Sequence, residues 1–354
     1  MVPKIKVIGR GTAPADDLTA KRMKSGLKNP RVSILRIGEL AYDLLKPDSQ
    51  GKVLAAFSKV AYLYLDNTQD ELTWLVSENA PMHRRGIQLG RRLPGLTADT
   101  PFYVEHQQIL VGSNLVLDFS QSLKWEKPRP HPGELASLDV VQERLVAVLP
   151  ILENLPSPAG LGIFIPQITN LSQGHTRFHP TPSLKLTSAQ EFVWTTIKEI
   201  AKACHDHDLP RILNAAEELI GLGEGLTPSG DDFIGGLLFS LAIFQELFEP
   251  FHHFLPYELT QFLERSKPRT NIISYTLLKD HVAGHASETL HMLINALLTS
   301  QDLKNVSRLI SEVIQLGHST GWDMLAGILT SMLLMIDSIT LHELGLHIST
   351  SNPS

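Results

Sequence analysis

Residues 221–243 read GLGEGLTPSGDDFIGGLLFSLAI, and the fold of the chain turns on how this stretch is understood. Gly221, Gly223 and Gly225 alternate, which lets the backbone take positive φ and turn its N–H groups outward. Ser229 is placed to cap a helix, and Asp231 and Asp232 fall in its first turn, where the macrodipole favours negative charge. The apolar run that follows is interrupted by Gly235 and Gly236 and soon reaches Gln245, so it reads as a buried helix rather than a membrane span. The expectation is a tight loop feeding a buried helix.

Residues 317–332, GHSTGWDMLAGILTSM, carry a second copy. Ser229-Gly230-Asp231-Asp232-Phe233-Ile234-Gly235-Gly236 matches Thr320-Gly321-Trp322-Asp323-Met324-Leu325-Ala326-Gly327, and each copy has an earlier glycine, Gly225 or Gly317. Two readings stand side by side. In one, Asp232 and Asp323 are capping-box residues and the small-Gly pairs let helices approach closely. In the other, the two helices cross at their glycines, and their N-termini meet as a concave site of N–H donors, hydroxyls and carboxylates for a small polar ligand. Asp231, Asp232 and Asp323 would then orient an amide or ammonium group or hold a divalent cation, and no cofactor is firmly indicated.

Around these copies the pattern is helical almost throughout from Ser188: Ser188–His205, Leu209–Ile220, Pro256–Arg265, Ile272–Leu298, Leu303–Leu316 and Thr320 to about Ile339. Asn271 and Ser274 open the long helix near the motif and are candidates for the pocket. Further along it, His281, His285 and Glu288 put three potential metal ligands on one helix face, with His291 following. That spacing suits a metal, although a partly exposed histidine face explains it as well. His318, beside the second glycine turn, is the candidate general acid or base. The spacing Gly221-x-Gly223-x-Gly225 after a helix is not a dinucleotide fingerprint, and no lysine between Lys202 and Lys267 completes a P-loop.

Upstream the texture changes. Short β-branched and aromatic runs between residues 31 and 125 predict an antiparallel sheet or small barrel. Within them, Arg84, Arg85, Arg91 and Arg92 crowd one stretch, either to hold a carboxylate or phosphate or as a solvated hairpin edge. Residues 1–30 read as a loosely ordered basic arm. Residues 126–187, with one helix from Leu135 to Leu152 and a Pro/Gly-rich segment, read as a linker, and residues 188–345 as the helical domain. The class is therefore α+β, a β-rich domain followed by a helical bundle. At 354 residues the chain exceeds one typical core, which agrees with two domains. A net charge of -6 gives no nucleic-acid signature, and the single cysteine, Cys204, fits a reducing cytoplasm. No signal peptide or membrane segment is expected.

The motifs Gly221-Leu222-Gly223-x-Gly225-Leu226-Thr227-Pro228-Ser229-Gly230-Asp231-Asp232-Phe233, Asn271-x-x-Ser274 and Gly317-His318-x-x-Gly321-x-Asp323 resemble the bacterial DUF2877 family. That family includes a subunit of the oxamate carbamoyltransferase of allantoin degradation, and some members have been labelled putative carboxylases. The resemblance covers mainly residues 188–335. It implies carbamoyl transfer involving small anions of the oxamate or carbamoyl phosphate class, in a hetero-oligomer with other subunits. Under it Gly225, Thr227, Ser229, Gly230, Thr320 and Gly321 hold substrate together with Asn271, Ser274, Arg84 and Arg85. Asp231, Asp232, Asp323 and His318 do the chemistry. A non-catalytic assembly subunit and a metal-dependent hydrolase or lyase are the alternatives.

Overall fold

The computed structural model describes residues 31–66, 68, 70–172, 185–248, 256–299 and 302–343. The basic arm, residues 173–184 of the Pro/Gly-rich segment and the last residues of the helical domain lie outside them. The chain divides into two compact units, Met1–Lys127 and Pro128–Ser354.

The first unit is built from β1 (Arg31–Gly38), β2 (Gln50–Ala56), β3 (Val60–Leu65), β4 (Leu72–Val76), β5 (Gly86–Leu89), β6 (Pro101–Glu105), β7 (Gln108–Val111), β8 (Leu115–Asp118) and β9 (Leu123–Trp125), with a short helix α1 (Glu39–Leu44) after β1. Along β3, Ala61, Leu63 and Leu65 point inward in strict alternation, as the period of a strand requires. The order is β5-β4-β3-β2-β6-β7-β8-β1-β9, and β5 pairs again with β1, which closes a small barrel. The expected antiparallel pairing is not uniform: β1 runs parallel to β8 and β9, and β4 parallel to β5. Parallel neighbours need a crossover, and the segment between β4 and β5 is the arginine-bearing stretch.

That stretch is not a hairpin edge. It leads into β5, which is buried along its length, and Arg85 is 3% exposed. The Arg85 guanidinium pairs with Glu71 and donates to the Leu72 carbonyl at 3.1 Å. Arg84 lies 3.8 Å from Glu39, while Arg91 and Arg92 are exposed. Arg85→Ala should therefore act on stability. Breaking a buried pair costs roughly 3–5 kcal/mol, and the 25% exposure of Glu71 reduces this to about 2 kcal/mol, read as a lower urea midpoint. An unchanged midpoint would show that Arg85 is not a tie of the barrel.

The second unit comprises α2 (Leu138–Glu153), α3 (Ile165–Thr169), α4 (Ser188–His205), α5 (Leu209–Glu217), α6 (Ser229–Leu247), α7 (Pro256–Ser266), α8 (Ile272–Val282), α9 (Glu288–Thr299), α10 (Leu303–Val313) and α11 (Thr320–Glu343). Local capping starts several of them: a Thr187–Gln190 capping box opens α4, and Asp208 and Asp302 cap α5 and α10. Val141, Leu145, Phe164 and Ile168 join the same core as α6 and α11, so α2 and α3 belong to the bundle although their sequence reads as linker. The single helix expected over Ile272–Leu298 is broken. Gly284 takes φ 69°, its N–H donates to His281 C=O and the His285 N–H to Asp280 C=O, the 5→2 and 6→1 bonds of a Schellman ending.

Helices α6 and α11 form the centre of this unit, and they cross at glycines. A Cβ on Gly236 would sit 2.1 Å from Met324 O, and one on Gly327 would sit 1.9 Å from Phe233 O. Phe233 and Met324 hold equivalent places in the two copies, so the contact is reciprocal. Farther along, Ser240 and Ser331, again equivalent, hydrogen-bond to each other at 2.5 Å. The two copies are thus related by an approximate twofold axis.

No helix among the described residues is long and apolar enough to cross a membrane.

Candidate functional site

The crossing brings the two helix starts together, and the loops before them are shaped by the residues singled out in the sequence. Gly221, Gly223 and Gly225 take φ of 80°, 123° and 101°, and Gly317 takes 63°. A side chain on Gly221 would strike Arg269 O at 2.1 Å, and one on Gly223 would strike Ser229 N at 2.6 Å, so the loop packs tightly against the segment before α8 and against the start of its own helix.

The capping expectation is corrected. The Asp232 N–H donates to Pro228 C=O, and the residue preceding α6 is Pro228, not Ser229. A capping box needs an N–H on the cap residue, and proline has none. In α11 the Asp323 N–H donates in the same way to Ser319 C=O. Gly230 and Gly321 direct their N–H groups to Leu222 C=O at 2.8 Å and Leu316 C=O at 3.0 Å, so these two expected ligand donors are engaged within the chain. Their missing side chains have another use. A Cβ on either would lie 1.9 Å from the carbonyl of Leu219 or Val313, at the end of the preceding helical segment.

Asp231 is held from three directions. Its carboxylate accepts from the Gly221 N–H at 2.5 Å, from the Ser274 hydroxyl at 2.6 Å and from the Thr270 hydroxyl. Asn271 caps α8 through Oδ1 and donates from Nδ2 to Leu226 C=O at 2.7 Å. Asp231, Asn271 and Ser274 therefore form one clamp that fastens the glycine loop to the start of α8. Burial lifts the Asp231 pKa although these three donors pull it down.

Asp232 and Asp323 differ from Asp231. They are 4% and 0% exposed, and Oδ2 of each is buried with no hydrogen-bond partner. Hydroxyls from both helix starts cover them: Thr227 and Thr320 lie 3.2 Å apart, and Ser229 and Ser319 lie 3.4 Å apart. The arrangement crosses over, since Thr320 and Thr227 act on Asp232 while Ser229 and Ser319 act on Asp323. Burial drives both carboxyl pKa values up. Asp323 rises to about 6 against the pull of the Leu161 N–H, and Asp232 rises well above the usual carboxylate range, with the charges of Asp323 and Asp231 adding to the effect. A buried polar atom left unpaired is costly, which sets these two carboxylates apart from Asp231.

The Leu161 N–H, 2.5 Å from Asp323 Oδ1, comes from a turn that sequence reasoning did not place in the site. Its signal was present as a further G-x-G, Gly160-Leu161-Gly162, but nothing local shows what it touches. His318, in contrast, stands exposed in the turn before α11, and Gly225 is exposed in its loop. Arg84 and Arg85 belong to the other compact unit, where their ion pairs have been described.

The histidines do not share one continuous helix face. The break at Gly284 separates His281 from His285, and His281 is buried against Gly235 with its ring 6.5 Å from Phe239. Burial lowers its pKa to about 4, so it is neutral. His291 meets the same Phe239 edge-on at 5.0 Å and accepts from the Ala286 N–H. Among the described residues no three His, Cys, Asp or Glu side chains gather as a metal cluster would.

Residues 219–332 match the family model described as oxamate carbamoyltransferase subunit AllH. The matched span runs from the end of the helical segment before the glycine loop into α11, and so contains both motif copies and the clamp on α8. The resemblance expected from the motifs holds over these residues. No solved structure matches the chain significantly.

Proposed function

We propose that the chain is a subunit of an enzyme of the oxamate carbamoyltransferase type, and that its ligand is a small carboxylate bearing an amide, held where α6 and α11 begin. The observation that carries this reading is the pair of unpartnered, buried Oδ2 atoms on Asp232 and Asp323 beneath four hydroxyls. A primary amide can meet both atoms, its N–H2 donating to an ionised carboxylate and its C=O accepting from a protonated one. The helix N-termini favour the ligand's negative end, and Thr227, Ser229, Ser319 and Thr320 offer hydroxyls to it. In this reading Asp231, Asn271 and Ser274 position the loop, and His318, exposed in the turn before α11, is the candidate general acid or base.

The Thr-Pro-Ser-Gly-Asp-Asp turn and its partner also serve as a packing core, and the reciprocal glycines favour a second reading in which this chain assembles a complex whose chemistry lies elsewhere. One experiment separates them. The purified chain, alone and with its co-encoded subunits, is assayed for carbamoyl transfer, and oxamate binding is followed by calorimetry. The substrate-site reading expects Asp323→Asn to weaken oxamate binding at least about tenfold, or 1.4 kcal/mol. Full activity of the reconstituted Asp323→Asn enzyme would leave only the assembly role. Activity lost on chelation and restored by a divalent cation would instead point to metal-assisted chemistry.

A further inference from the structure

Asp232 and Asp323 hold the same place in the two copies, and two hydroxyls face each of them. By symmetry they should share protons evenly. The twofold relation is broken by the turn before α3, whose Leu161 N–H is bonded to Asp323 Oδ1 at 2.5 Å. Among the described residues no backbone N–H reaches the Asp232 carboxylate. Gly160 is built for this approach. It takes φ 56°, and a Cβ there would lie 2.2 Å from Asp323 Oδ1, so any other residue would push the carboxylate away. Gly162 lets the turn close, since a Cβ on it would stand 2.8 Å from the Trp322 Cβ.

We propose that the Ala159–Gly162 turn is a positioning element of the site, which makes the two carboxylates inequivalent and leaves Asp323 as the ionised acceptor and Asp232 as the protonated donor. An N–H bonded to a carboxylate favours its charged form. The groups that bear on the pair agree. Two hydroxyls face each carboxyl, Ser319 and Ser229 on Asp323 and Thr320 and Thr227 on Asp232; only Asp323 has a backbone N–H as well, and only Asp232 has the further negative neighbour Asp231 beyond the mutual repulsion of the pair. An acid O–H beside a carboxylate complements a primary carboxamide, whose C=O accepts and whose N–H2 donates. It does not complement a second carboxylate in the same place. The choice of ligand rests on the proposed function; the difference between the carboxylates does not.

The test is a carboxyl 13C NMR titration of the full chain labelled at aspartate, with Asp323 and Asp232 assigned from their Asn variants. Asp323 is expected to ionise near pH 6 and before Asp232. Gly160→Ala should raise the Asp323 midpoint by about one pH unit as the Leu161 N–H is displaced. Leu161→Ala, which keeps the amide, should lower the melting temperature and leave the midpoint where it was. Ionisation of Asp232 first, or a Gly160→Ala midpoint equal to the wild type, overturns the proposal. If Gly160→Ala does not fold, the order of ionisation in the wild type decides. Calorimetry then reads the ligand separately: oxamate affinity should fall as the pH drops below the Asp323 midpoint. The expected titrations without oxamate binding at any pH would remove the proposed function and leave the role of the turn intact.

Discussion

Gly327→Ala should cost the helical unit a large part of its stability, although alanine is the better helix former. On an exposed helix the exchange gains about 1 kcal/mol, so the sign of the effect is itself diagnostic. Here the new Cβ would lie 1.9 Å from Phe233 O and 2.8 Å from Leu237 N. Both obstacles are backbone atoms of α6, which cannot swing aside as a flexible side chain would, so the two helices must separate. Overpacking in a core costs roughly 1–3 kcal/mol, and a contact of backbone with Cβ belongs at or above the top of that range, about 3 kcal/mol. Domains are stable by only roughly 5–15 kcal/mol. Gly236→Ala meets Met324 O at 2.1 Å from the other side and should behave alike. The double variant should lose less than the sum, because one separation relieves both clashes. Urea unfolding measures all three. A Gly327→Ala midpoint at or above that of the wild type would refute the close crossing, and with it the approach of the two helix starts.

This crossing was legible in the sequence, because a repeat aligns chemically equivalent residues whether or not their partners are known. Serine or threonine, glycine, aspartate and a small-Gly pair recur in one order in both copies, and that order carries the twofold relation. The alternating glycines likewise announced their positive φ, and the β-branched runs announced a β-rich unit while leaving sheet or barrel open. What stayed hidden depends on atoms far apart in the chain. The sequence does not show that Thr270 and Ser274 donate to Asp231 or that Glu71 pairs with Arg85. The cap moved by one residue to Pro228 because the α6 hydrogen bonds begin at its carbonyl, against the side-chain preference for Ser229. The apolar spacing of 272–298 runs on through Gly284, so periodicity could not reveal a break that one left-handed residue produces. The turn at Gly160 was seen as irregular sequence and not as a wall of the site, since only the fold brings it to Asp323.

Asp323→Asn should make the protein more stable near pH 7.5 while it abolishes tight ligand binding. Burial raises the Asp323 pKa from 3.8 to about 6 in the folded protein, so the native state keeps a proton that the unfolded chain has released. Between about pH 4 and about pH 6 the unfolded state therefore binds fewer protons, and stability falls as pH rises through that window. Above it the penalty is complete. A carboxyl whose folded and unfolded pKa values stand this far apart carries a penalty of about 3 kcal/mol. Asparagine keeps the size of the side chain, and its Oδ1 can still accept from the Leu161 N–H, but it carries no charge to bury. The variant and the wild type should accordingly have similar urea midpoints near pH 4, with the variant ahead by an increasing margin up to pH 7. Equal midpoints at pH 7.5 would show that Asp323 is not held at a cost. A residue that destabilises its own fold at neutral pH is best explained by what it does for a ligand. The same variant should bind oxamate at least about tenfold more weakly, because an amide side chain presents a donor where the ligand's N–H2 needs an acceptor. Gain of stability and loss of binding in one substitution would separate a working carboxylate from a packing residue, whose removal can only lower stability.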